Sequence, residues 1–135
     1  DLSQCRPEHR EGRYLDSLVE TAAEFFEPYA DRWVLLAPGN HEGAILDRLA
    51  QATRSGVQGV LINPGGLAHT SVSLRDAVAA VPVPVIEVHL SNTLAREPFR
   101  REHMTAAACS GIVAGLGRVS YLAGLFALGT LLGDG

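Results

Sequence analysis

Two short stretches of this chain hold residue types that together can move a proton. The first is IEVHLS, residues 86–91. On an extended strand, side chains two positions apart share a face, so Glu87, His89 and Ser91 point the same way. A carboxylate beside an imidazole fixes its tautomer and raises its basicity, which suits a general acid near neutral pH. An apolar core has little use for such a pair unless it is satisfied or functional.

The second stretch is LINPGGLAHTSVSLRDA, residues 61–77. Asn63 stands where an apolar run meets a Gly-rich turn, and Gly65-Gly66 lets a ligand approach the backbone. Thr70 or Ser71 can cap the next helix, whose amino end favours anionic or oxygen-rich ligands. His69 lies just before that cap, and Asp76 about two turns on. Each has a bland reading too: Asn63 as a turn-capping amide, His69 as a loop imidazole bonded to backbone. Arg96, Glu97 and Arg100 read as charges that a solvated helix carries anyway. No metal-type spacing is present: His41 and Glu42 belong to a helix start, and His9 and His103 stand isolated among charges. Neither a metal nor a cofactor is expected.

Composition narrows the chemistry. All eleven basic residues are arginine, with no lysine in the 135 residues. A Schiff-base lysine, a pyridoxal-phosphate lysine and a Walker-type phosphate loop are therefore excluded within this sequence. The net charge of −4 gives no electrostatic reason to expect nucleic acid or a membrane surface as partner. No apolar run approaches the ~20 residues of a membrane span, and no signal-type segment is visible. Cys5 and Cys109 form no metal-type pair and read as reduced thiols, so a cytoplasmic setting is expected. An apolar content of 47% fits one compact α/β domain over residues 1–135.

The elements that must position these residues alternate in type. Residues 15–29 read as an amphipathic helix, with Leu15, Leu18, Val19, Ala22, Phe25 and Phe26 at helical spacing. Residues 33–37 (WVLLA) are a short strand closed by Pro38-Gly39. Asn40 is placed to cap a helix over 42–54 with Ile45, Leu46 and Leu49 inward. Strands are expected at 57–62 and 83–90, a helix at 71–80, and a loop with a short helix at 91–101. A small-residue strand and turn follow at 107–117, then a closing helix at about 120–132. Such alternation predicts a parallel sheet covered by helices on both faces, with ligands at the carboxyl ends of its strands. Asn63, His89 and Ser91 fall there. The sequence begins on polar residues leading into a helix, where a fold of this kind usually begins on a strand. Either the sheet has four strands or its first is missing or trimmed.

Taken together, INPGGLAHTSVSLRDA and IEVHLSNTLAREPFR closely resemble the type II 3-dehydroquinate dehydratases. The likeness extends to GNHEGAILDRL (39–49) and GIVAGLGRVSYLAGL (111–125), and covers roughly residues 15–130. It implies a flavodoxin-like three-layer sandwich with a parallel sheet of four to five strands. It also implies trimers assembled into a dodecamer, no cofactor, and a hydro-lyase acting on a cyclic hydroxy acid. The reaction would be anti elimination of water from 3-dehydroquinate through an enolate, in the shikimate pathway of aromatic amino acid biosynthesis. Position by position, Asn63 would hold the water that stabilises the enolate. His89 would protonate the departing hydroxyl, with Glu87 orienting it. Leu90 and Ser91 would grip the substrate carboxylate. His69 and Arg100 would bind hydroxyls, and Asp76 would approach from a neighbouring subunit.

The amino end departs from the family pattern. The family carries a lid of the form Gly-x-Arg-Glu-Pro-x-x-Tyr-Gly, whose tyrosine is the base and whose arginine makes it acidic. Here Arg6 is the counterpart of the lid arginine, and Arg10 stands where the tyrosine should be. Tyr14 falls four positions later, up to ~14 Å of extended chain away. It is either a helix-start residue or a replacement base. Two further functions stay open. One is a relative repurposed in specialised metabolism: a dehydratase or cyclase on another substrate, or an aminodehydroquinate dehydratase. The other is an inactive paralogue serving as a binding subunit.

Overall fold

The computed structural model describes residues 36–38 and 41–133. The expected helix over 15–29, the start of the first strand, Asn40, Arg6, Arg10 and Tyr14 lie outside the described residues. Within them run β1 (Leu36–Pro38), α1 (Glu42–Ser55), β2 (Val60–Asn63), α2 (Val72–Ala79), β3 (Val85–His89), β4 (Gly111–Ala114) and α3 (Val119–Gly133). Short 3-10 turns fill the connections, at Gly65–His69, Thr93–Ala95, Pro98–Arg101 and Ala106–Ala108.

The four described strands form one parallel sheet in the order β1-β2-β3-β4. Leu61 pairs with Leu36 on one side and Ile86 on the other, and Ile86 pairs onward with Gly111. This is the α/β architecture that the alternation predicts. The side chains of β2 and β3 alternate between two cores. Val60, Ile62 and Val85 meet Ile45, Leu49 and Ala52 of α1 and Leu74 and Val78 of α2. Leu61, Ile86 and Val88 meet Tyr121, Leu125 and Leu128 of α3 on the opposite face. Glu87 and His89 therefore share the α1–α2 face with Val85, and that choice of face carries the site.

Local chemistry fixes the turns. The α1 N-cap position is His41, which makes no side-chain capping bond. The first-turn Glu42 carboxylate instead accepts a hydrogen bond from the Ser71 hydroxyl. Ser71 caps α2 as expected, accepting the Leu74 N–H at 2.8 Å. Gly65 has φ 57°, a left-handed conformation that turns the chain sharply after β2. On the other face, a Cβ at Gly124 would lie 2.7 Å from Leu61 Cδ1 and 2.9 Å from Val88 Cγ2. The glycine lets α3 lie directly on the sheet.

Candidate active site

Asn63 is the last residue of β2 and His89 the last of β3, so both side chains emerge at the carboxyl end of the sheet. A pocket opens there, lined by Asn63, Gly65, His69, His89, Leu90 and Ser91. Thr93, Arg96 and Arg100 complete its lining. Six sequence-predicted site residues thus share one cavity. Glu87 sits beneath it, fully buried. Asp76 lies elsewhere, exposed on α2 and paired with Arg75 at 2.8 Å.

Glu87 anchors the site. Its Oε1 accepts hydrogen bonds from His89 Nε2 at 2.7 Å and from His103 Nδ1 at 3.1 Å. Its Oε2 accepts the Thr105 hydroxyl at 2.5 Å. Burial by itself raises the pKa of this carboxyl. The bonds from His89 and Thr105, the His89 charge and the His103 bond outweigh burial and hold the pKa below the ordinary carboxylate range. The group is accordingly an anion at neutral pH, and an imidazolium at His89 has a counter-ion in place. With Nε2 held by the carboxylate, Nδ1 is the His89 nitrogen that can exchange a proton with a ligand.

The other lining residues are held with equal definition. The Asn63 amide accepts the Gly65 N–H at 3.1 Å and donates through Nδ2 to the Tyr121 hydroxyl at 2.7 Å. His69 Nδ1–H donates to the Glu102 carbonyl at 2.7 Å, which leaves Nε2 as the nitrogen able to meet a ligand. Burial lowers the His69 pKa, the carbonyl bond opposes this, and His103, His89 and Arg100 add to the lowering. His69 is thus a neutral hydrogen-bonding group at physiological pH. Arg96 and Arg100 both approach Glu97 Oε2 through Nε, at 3.5 and 3.0 Å. The Arg96 side chain is only 8% exposed, so the expectation of a solvated charge is corrected there. A guanidinium this buried at a pocket wall favours an anionic or hydroxylated ligand.

His103, read from the sequence as isolated among charges, is likewise corrected. The Met104 N–H donates to the Ala68 carbonyl at 2.8 Å, which folds residues 102–105 back over the turn that carries His69. His103 then stands between Glu87 and Thr93, its Nε2 2.9 Å from Thr93 Oγ1. Thr105, Thr93 and Tyr121 also escaped the sequence reading, since no local spacing links them to the site. The Tyr121 phenol, buried beside Asn63, has its pKa raised by burial against the lowering effect of the Asn63 bond, which makes it unsuited to act as a base. Cys109 Sγ lies 4.0 Å from Glu87 Oε2, and burial together with that charge pushes the thiol up to about 12. It is inert.

Comparison with known proteins places the chain in a family. The family described as "Dehydroquinase class II" matches residues 5–129. The chain belongs to that family. It is 45% identical over 111 residues to the 3-dehydroquinate dehydratase of Janthinobacterium sp. (strain Marseille), covering 82% of this chain and 77% of that one. It is 46% identical over 99 residues to the 3-dehydroquinate dehydratase of Caldicellulosiruptor saccharolyticus, covering 73% and 68%. Among solved structures it is similar to the type II dehydroquinase of Butyrivibrio crossotus, with a TM-score of 0.76 and 36% identity over 84% of this chain and 79% of that one. The sheet, the pocket and the Glu87–His89 pair thus belong to a class II dehydroquinase domain.

Proposed function

We propose that this chain is a 3-dehydroquinate dehydratase, a hydro-lyase that eliminates water from 3-dehydroquinate to give 3-dehydroshikimate through an enolate. The observation that carries the reading is the buried Glu87–His89 pair, 2.7 Å apart, beneath a pocket that also holds Asn63, His69 and Ser91. In the reaction a base removes a proton next to the carbonyl, and the enolate oxygen is stabilised by a water held on Asn63. His89 then gives its Nδ1 proton to the departing hydroxyl, which leaves as water while the C=C bond forms. Glu87 keeps the imidazole oriented and balances its charge throughout. The backbone of Leu90 and Ser91, with the Ser91 hydroxyl, grips the substrate carboxylate, and His69 and Arg100 bind substrate hydroxyls. The step needs no imine, which agrees with a sequence free of lysine.

Arg6, Arg10 and Tyr14 fall outside the described residues. Tyr14, four positions beyond the lid position that Arg10 occupies, is the candidate replacement base, and Arg6 is the counterpart of the lid arginine. Asp76 serves a neighbouring subunit's site, which its exposed place on α2 away from its own pocket supports. The assembly is a trimer built into a dodecamer. Exposed apolar side chains at Ile112, Phe126 and Leu131 support an interface on the β4–α3 side. The whole domain, residues 1–135, is flavodoxin-like. The consecutive neighbours β2-β3-β4 agree with the last three strands of the 2-1-3-4-5 order of that fold, whereas β1 pairs directly with β2, where that order sets a further strand between them.

Incubation with 3-dehydroquinate tests the reading: the ultraviolet absorbance of the conjugated enone should rise, and borohydride added with substrate should not inactivate the protein. No absorbance from assembled, full-length protein at high concentration would sink the proposal. Tyr14→Phe decides the base, since full activity would remove Tyr14 from the mechanism. Arg10 in place of the lid tyrosine favours a second reading, dehydration of a related cyclic hydroxy acid, which the same assay separates by substrate.

A further inference from the structure

We propose that Glu87, His89 and His103 form a binding site for one transition-type divalent cation of the zinc class, and that the cation inhibits by displacing the Nε2 proton of His89, which denies the ring the imidazolium form that serves as the acid. Their ligand atoms all lie within 4.8 Å of one another. Two of the three spacings already suit coordination: Glu87 Oε1 is 2.7 Å from His89 Nε2 and 3.1 Å from His103 Nδ1. Zinc bonds of about 2.0–2.2 Å place neighbouring tetrahedral ligands about 3.3 Å apart, so the two Glu87 spacings need sub-ångström change, while the imidazoles, within 4.8 Å of each other, must close by up to about 1.5 Å to complete the chelate. Two imidazoles and a carboxylate are the donor set that selects zinc, cobalt or nickel over magnesium or calcium.

Outer partners hold the donors as a metal site requires. Thr105 donates to the second oxygen of Glu87 at 2.5 Å, and Thr93 Oγ1 lies 2.9 Å from the second nitrogen of His103. When His103 ligates through Nδ1, its ring proton moves to Nε2, and the Thr93 hydroxyl accepts that bond instead of donating it. When His89 ligates through Nε2, its ring keeps a single proton, on Nδ1, and any second proton is released to solvent. The pocket that reaches His89 and Thr93 offers a route in and room for a water as fourth ligand. His69, its ring 5.0 Å from that of His103, is tied to the Glu102 carbonyl and stays outside the set. Inhibition rests on the reading of His89 as the acid; binding of the cation does not.

The test uses intact protein stripped with a chelator. Titration with Co2+ should saturate at one ion per chain with the strong visible band of a low-coordinate site, and Zn2+ should displace it. His103→Asn should weaken Co2+ binding at least about tenfold, and Glu87→Gln should act likewise, whereas His41→Asn, at the N-cap of α1 and outside the cluster and the pocket lining, should bind as the parent does. Should the variants fold poorly, Zn2+ should still protect His89 and His103 of the parent from diethylpyrocarbonate, as mapped by peptide mass spectrometry. Binding that does not saturate, a spectrum of hexa-aqua type, unchanged affinity in His103→Asn, or absence of protection would each overturn the site. Turnover should fall with Zn2+ and return with chelator. Binding without inhibition would contradict His89 as the acid and leave the Co2+ result standing, so the two failures are distinguishable.

Discussion

Replacing Thr105 with valine removes one hydroxyl from the most buried charge among the described residues and leaves the shape of the side chain nearly unchanged. Thr105 and Glu87 are both fully buried, and the hydroxyl donates to Glu87 Oε2 at 2.5 Å. A hydrogen bond to a charged group contributes about 1.5–3 kcal/mol, and no cavity term is added by an isosteric change. The unfolding constant should therefore rise roughly 10- to 150-fold near pH 7, and the melting temperature should fall by about 5–15 °C. The effect depends on pH with a definite sign. Because the folded pKa of Glu87 is lowered, its carboxylate stabilises the fold above the unfolded pKa, and that contribution fades as pH falls through the folded value. Loss of the Thr105 bond raises the folded value, so the variant starts to lose stability at a higher pH and the two curves converge in acid. Urea unfolding of Thr105→Val and parent, near pH 7 and about pH 4, reads both quantities from midpoints at equal slope. A difference below about 0.5 kcal/mol at neutral pH, or an equal difference at both pH values, would refute the reasoning.

The same geometry fixes three further outcomes. Tyr121→Phe removes the acceptor of the Asn63 Nδ2–H, so the amide loses its fixed orientation; turnover should drop about tenfold, with about 1 kcal/mol less stability in denaturant melts. Gly124→Ala forces a methyl against Leu61 and Val88 and should destabilise by about 1–3 kcal/mol, measured by urea unfolding, with the pocket residues untouched. Cys109 should resist iodoacetamide at neutral pH until the chain unfolds, because its thiol is pushed up to about 12; rapid labelling of the native protein would contradict its burial beside Glu87.

The parts of this molecule that were legible in its sequence are those governed by short periods. A repeat of two places Glu87 and His89 on one face of β3, and the strand ends put Asn63 and His89 at the same edge of the sheet. Ser71 was readable as a cap because capping is a local bond, to the Leu74 N–H. What could not be read depends on chain paths that no local spacing records. His103 reaches Glu87 across 16 residues, and Tyr121 reaches Asn63 across 58. Arg96 belongs to a charged stretch that looks solvated, and only the 3-10 turns on either side of it fold it into the pocket wall. The metal-type cluster escaped for the same reason, since its third member comes from a loop pinned to Ala68.

The sheet thus supplies position and the loops supply chemistry. Strand ends aim an amide and an imidazole into one space, and the segment after β3 returns over them with two arginines and a second imidazole. Three hydrogen bonds on one buried carboxylate hold its charge beside the imidazoles of His89 and His103. His69, its pKa lowered by burial, stands neutral at the rim of the pocket.

The central claim is that His89, held by Glu87, is the acid of a dehydration, and His89→Ala tests it most directly. Binding of 3-dehydroquinate by calorimetry and turnover by enone absorbance should be measured on the same preparation of parent and variant. The account predicts substrate affinity within about tenfold of the parent and turnover reduced by at least about a hundredfold. A variant that binds substrate and turns it over at the parent rate would contradict it.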